Sequence, residues 1–181
     1  MDEKLRDKLA QTYRINKVLW FAILADVIIL AVIAFALEYF KVLTTPALHS
    51  FKTFNDISLI IVIVLLFAIM YMKRSFLFPS KIVQKAKNSD LPMDESGMAD
   101  VWDEFGEEGK LLFRVLMLLR RYFMIIWSFA NLIVILGFIL YILSLNLNNF
   151  LIYGVVGLYS LVINFPRFTI IENCYYQIKN E

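Results

Sequence analysis

The chain has 181 residues, 60% of them hydrophobic and 19% charged, and its mean hydropathy is +0.68. Soluble domains average ~45–50% apolar and about 25% charged, and disorder needs low hydrophobicity. Six Gly and four Pro exclude collagen-like and linker compositions, so the composition predicts an integral membrane protein. A closed β-barrel would show ~10-residue alternating segments, and the run LIIVIVLLFAIM at 59–70 does not alternate. The fold class expected is all-α, a four-transmembrane-helix bundle.

A hydrocarbon core of ~30 Å takes about 20 apolar residues in a helix. Residues 1–17 are expected to form an amphipathic helix, with Leu5, Leu9 and Tyr13 at i, i+4 and i+8. It is expected to lie on the membrane surface or run straight into the first span. Span one covers about 18–40 and carries only Asp26 and Glu38 as charges. The following loop holds the single His49, read as a solvated loop residue. Span two covers about 57–72, and its only polar residue, Ser58, makes it the most lipid-like helix.

Residues 73–121 form the largest polar segment, a partly helical loop between spans two and three. Its first part, 73–87, is basic and could lie along anionic headgroups. Its middle, 89–108, is acidic, and too poor in apolar residues for an independent core, so 1–181 is read as one membrane domain. Residues 111–144 hold no Pro, and no Gly before Gly137. One unbroken helix could therefore run through span three, about 122–144; a bend near Arg120 is the alternative. A five-residue turn, 145–149, makes spans three and four antiparallel neighbours. Span four covers about 150–171 if the helix continues past Pro166 and Arg167.

Cytoplasmic segments carry excess Lys and Arg near the span ends. Lys4, Arg6, Lys8, Arg14 and Lys17 precede span one. The central segment adds Lys73, Arg74, Lys81, Lys85, Lys87, Lys110, Arg114, Arg120 and Arg121, and the tail adds Arg167 and Lys179. The outer loops hold only Lys41 and Lys52. Both termini and the central loop are expected to be cytoplasmic, in a plasma or inner membrane. Ala34-Phe35-Ala36 resembles a signal cleavage site, but the preceding run exceeds the 7–15 residues of a signal core, so no cleavage is expected. Cys174 is read as a near-inert cytoplasmic thiol.

The specific signal lies in the polar residues inside the spans. Asp26 sits about 12 Å from the cytoplasmic end of span one at 1.5 Å per residue. Ionised and unpaired there, it would cost roughly 2.5–3.5 kcal/mol, so a partner is expected. Ser128 and Asn131 share a face of span three. On span four, Tyr153, Gly157, Ser160, Asn164 and Arg167 form one helical stripe. Asp26, Ser128, Asn131, Ser160, Asn164 and Arg167 are the candidate intramembrane polar cluster. Two readings stand for it: hydrogen-bond glue between helices, or a proton, ion or ligand path.

A second candidate is the acidic strip Asp94, Glu95, Asp100, Trp102, Asp103, Glu104 and Phe105, whose aromatics could anchor a partner. The alternative is a solvated linker. No catalytic residue, metal site or cofactor is expected. His49 has no second His, the segment 106–110 lacks P-loop spacing, and 100–106 lacks the alternating ligands of an EF-hand. Gly154, Gly157 and the Ala-rich first span allow close helix approach. The function expected is a non-enzymatic membrane protein that acts by assembly. It would be a homo-oligomer or an accessory or sensor subunit whose cytoplasmic loop docks a partner. The alternative is a proton, cation or small-solute channel or carrier working through Asp26. The bilayer and another protein are the partners expected, and no nucleic acid.

Overall fold

A computed structural model gives the fold. It describes residues 3–43, 51–88, 102 and 105–180, with side chains omitted at 51 and 52. The expected acidic strip at Asp94, Glu95, Asp100, Asp103 and Glu104, and the loop residue His49, lie outside the described residues. Among the described residues the regular elements are helices: α1 (Glu3–Tyr39), α2 (Phe51–Phe76), α3 (Pro79–Lys87), α4 (Gly106–Ser144), α5 (Leu147–Ile163) and α6 (Thr169–Asn180).

α1 and α4 have 37 and 39 residues, roughly 55–60 Å each by helical rise. α1, α2 and α4 are long and apolar enough to cross a membrane, which marks an integral membrane protein; α5, with 17 residues, is shorter. α4 is one helix from Gly106 to Ser144, without interruption at Arg120.

The residues group into two compact units interleaved along the chain. A polar unit comprises Met1–Val18, Met72–Met124 and Pro166–Glu181, and an apolar unit comprises Leu19–Tyr71 and Ile125–Phe165. Three of the four boundaries fall inside α1, α2 and α4.

The polar unit builds a core from segments far apart in sequence. Each of its helices presents one apolar stripe. Leu5, Leu9 and Tyr13 come from α1, Ile82, Val83 and Ala86 from α3, and Leu112, Val115, Leu116 and Leu119 from α4. Ile171, Cys174 and Tyr175 of α6 complete it, and α3 packs against α6. The stripe of residues 1–17 is therefore buried in protein. Three other amphipathic segments offer it a partner, and the helix runs straight on into the first span as part of α1, one of the two expected courses. The Tyr13 hydroxyl donates to the Arg167 carbonyl at 2.9 Å, and its ring meets Phe168 edge-on. Buried Asn16, one turn further, accepts from Arg120 Nε at 3.3 Å. α3 starts where a proline forces it. Phe78 is extended (φ −79°, ψ 126°) and Pro79 occupies the first turn, as the pre-proline restriction and the fixed proline φ demand.

In the apolar unit, α4 and α5 form an antiparallel hairpin. Leu145 takes a left-handed φ of 54°, and the Asn146 side chain caps α5 by accepting from the Asn148 N–H at 3.1 Å. The turn is thus shorter than the expected 145–149. Glycine sets the closeness of the two helices. A Cβ on Gly157 would strike Val134 and come within 2.8 Å of the Ala130 carbonyl; one on Gly137 would come within 2.5 Å of Tyr153 Cβ. α1 continues its buried row through Trp20, Val27 and Ala34 at seven-residue spacing. Among its described side chains α2 buries only Ser58, Val62 and Ile69 and leaves most of the large apolar ones exposed.

The expected fourth span at 150–171 requires correction. The helix ends at Ile163, and α6 is a separate element of the polar unit. Pro166 has no N–H to give to the Val162 carbonyl, and it pushes the residue before it away from helix. The Asn164 N–H turns back to the Leu161 carbonyl and the Phe165 N–H to the Val162 carbonyl, both at 3.2 Å.

Candidate functional site

Two neighbouring elements of the apolar unit carry the predicted acid and its partner. Asn131 Nδ2 on α4 donates to Asp26 Oδ2 on α1 at 2.7 Å. The bond answers the need of an acid placed among apolar residues. It is incomplete. Asp26 is only half-buried, and this is its one hydrogen bond among the described residues. Asn131 Oδ1 is buried and unpartnered. Ser128, one turn before Asn131 on α4, is exposed and makes no hydrogen bond among the described residues.

Ser160 and Asn164 do different work, at the C-terminal end of α5. The last carbonyls of any helix lack intrahelical donors, and among apolar side chains no water replaces them. Asn164 Nδ2 donates to the Ser160 carbonyl at 2.7 Å. Trp20 Nε1 of α1 donates to the Leu161 carbonyl, and Trp127 Nε1 of α4 to the Asn164 carbonyl, both at 3.0 Å. The Ser160 hydroxyl turns back to the Val156 carbonyl at 2.9 Å. Three helices are thus tied together at one helix end. The sequence reading missed Trp20 and Trp127, although Pro166 signalled that carbonyls there would need donors. Arg167 belongs to the polar unit; its side chain is exposed and its carbonyl serves Tyr13. Of the six residues, Asp26 and Asn131 bond to each other, Ser128 shares the face of α4 that carries Asn131, Asn164 bonds the Ser160 carbonyl, and Arg167 belongs to the polar unit.

The other charged residue of span one, Glu38, accepts from the Tyr141 hydroxyl at 3.2 Å. It is a second α1–α4 bond within the apolar unit, again not foreseen. Of the acidic strip, only Trp102 and Phe105 are described. Trp102 is 0% exposed, with ring centroids 5.6 Å from Phe113 and 6.1 Å from Phe105. It serves the core of the polar unit, and only Phe105 remains partly exposed. Gly109 makes room for that corner, since a Cβ there would come within 2.9 Å of the Trp102 carbonyl.

A groove of about 410 Å³ lies between α2 and α5, lined by Leu66, Ile69 and Met70 on one side and Val155, Tyr159 and Ile163 on the other. With almost no polar lining it suits hydrocarbon, as expected of a surface facing acyl chains. Among the described residues, no group of three or more His, Cys, Asp or Glu is placed to hold a metal ion. Cys174 is fully buried, and burial pushes its thiol up to about 12. Comparison with family models, curated proteins and solved structures found no match to this chain.

Proposed function

We propose that this chain is a non-enzymatic, four-span protein of a plasma or inner membrane that acts by assembly, with both termini and the 73–121 segment cytoplasmic. It is a homo-oligomer, or an accessory or sensor subunit whose cytoplasmic part meets a partner. α5 serves as the fourth span, its short length met by local thinning of the bilayer. The supporting observation is how the polar groups of the apolar unit are used. Trp20, Trp127, Ser160 and Asn164 each give a donor to a backbone carbonyl, and Asn131 gives one to Asp26. Donors committed in this way tie helices together and line no relay.

A transport reading rests on one contrary observation, the half-exposed carboxylate of Asp26. Reconstitution into liposomes separates the two. Proton and cation flux should equal that of empty vesicles for wild type and for Asp26→Asn alike. Flux in wild type that disappears in Asp26→Asn would replace assembly by transport. For a cytoplasmic partner, deletion of residues 89–101, which spares the buried Trp102, should reduce co-purification of proteins from native membranes; an unchanged set would remove that segment from the docking surface.

A further inference from the structure

The face around Asp26 carries polar groups that the protomer leaves unmet in a part of the chain that faces lipid. Along α1 the exposed row is Val18, Phe21, Ala22, Ala25, Ile29 and Val32. Ala22 and Ala25 are the small residues in it, and Asp26 stands at its edge. On α4, one turn before the Asn131 that bonds Asp26, Ser128 is exposed and unbonded among the described residues. Serine in a membrane helix ordinarily returns its hydroxyl to a carbonyl one turn back, as Ser144 and Ser160 do here. Ser128 does not. The face thus offers a free donor at Ser128 and a free acceptor oxygen at the half-buried Asp26, beside a row where alanine lets another backbone come close. In lipid no water is at hand to meet the free Asp26 oxygen.

We infer that a second copy of this chain covers this face. The pairing is isologous, so that each Ser128 hydroxyl donates to the free Asp26 oxygen of the other copy. Donor and acceptor stand on the same face of one protomer, and a two-fold operation therefore satisfies both copies at once. A lipid acyl chain offers neither group. This inference rests on the assembly reading above and names its partner.

The test uses the full chain in liposomes at low protein density. Energy transfer between labelled copies should report a dimer. Ser128→Ala disturbs no bond within the protomer and removes two bonds between copies; it should weaken the dimer roughly 5–10-fold. Ala25→Cys and Ser128→Cys should cross-link between copies, whereas Val155→Cys on the exposed side of α5 (66% exposed) should not. The buried native Cys174 stays silent. A dimer that cross-links through Val155 and not through Ala25 overturns this face while the assembly reading stands. A chain that remains monomeric overturns the self-pairing. If that monomer also captures no protein from native membranes, the assembly reading falls with it.

Discussion

A single hydrogen bond decides how Asp26 is tolerated. It joins α1 to α4 at 2.7 Å, and such bonds in membrane helices average ~0.6 kcal/mol, rising to about 1.7. A double-mutant cycle on Asp26→Ala and Asn131→Ala, read by reversible unfolding in mixed micelles, should return a coupling in that range. Asn131→Ala alone should cost more than Asp26→Ala, because it leaves the acid without its donor. Cys174 gives a second test at this scale. Its thiol ionises near 9 when unfolded and near 12 in the fold. Below pH 9 the stability from burying a neutral thiol is fully present. As pH rises from 9 towards 12 the unfolded chain releases a proton that the folded chain keeps, and that stability is lost. Tyr13 shifts upward too, through burial and the neighbouring Cys174, and adds to the alkaline loss. At pH 8 a disulfide reagent should modify folded protein at least ~100-fold more slowly than unfolded protein. Equal rates would mean that Cys174 is not buried.

The end of α5 shows what a helix terminus requires when water is absent. Pro166 stops the helix, and two indoles and an amide take over the carbonyls left behind. Trp20→Phe and Trp127→Phe keep most of the ring volume and remove one donor each. Trp127→Phe should cost about 1–3 kcal/mol, the penalty for an unmet buried group, and Trp20→Phe only about 0.5–1.5 kcal/mol, because the Leu161 carbonyl keeps the Asn164 N–H, both measured by the same unfolding assay. The glycines of α5 separate cleanly. Gly157 is pressed against Ala130 and Val134, so Gly157→Ala should cost about 1–3 kcal/mol through overpacking. Gly154 has nothing nearer to an added Cβ than Phe150 at 4.0 Å. Gly154→Ala should be neutral or gain up to ~1 kcal/mol from helix propensity. Loss of stability of equal size at both positions would contradict the hairpin packing.

At the scale of the whole molecule, charge and burial divide the chain in the same places. The Lys and Arg excess falls mainly in the segments of the polar unit, and the long uncharged runs fall in the apolar unit. The proposed topology makes a direct prediction. Cysteines placed at Lys4, Lys87 and Lys179 should be labelled only after the membrane is opened, whereas one at Lys41 should react in intact cells. The opposite pattern would invert the orientation. The buried Tyr13, Ile82, Trp102 and Leu119 of the polar unit mean that unfolding this unit should expose aromatic side chains outside the lipid. Trp102 fluorescence, followed in a Trp20→Phe, Trp127→Phe background, should shift red as that occurs.

The sequence by itself determined the solvent. Runs of apolar residues without Pro or charge permit only helices in lipid, and those runs placed α1, α2 and α4 and required a polar partner for Asp26, with Asn131 among the candidates. It also announced the end of α5 through Pro166, a signal outweighed in the reading by the apolar residues that follow. Only the tertiary structure decided which face each residue takes. Leu5, Leu9 and Tyr13 make a stripe equally suited to a lipid surface or a protein core, and the choice depends on α3, α4 and α6, which lie far away in sequence. Ser128 and Asn131 share a helix face, yet one is exposed and the other holds Asp26. Trp20 and Trp127 read as ordinary apolar bulk until the α5 carbonyls stand opposite them. Periodicity fixes what a residue's own helix does with it; its partner is fixed by packing between helices, and that information is not local.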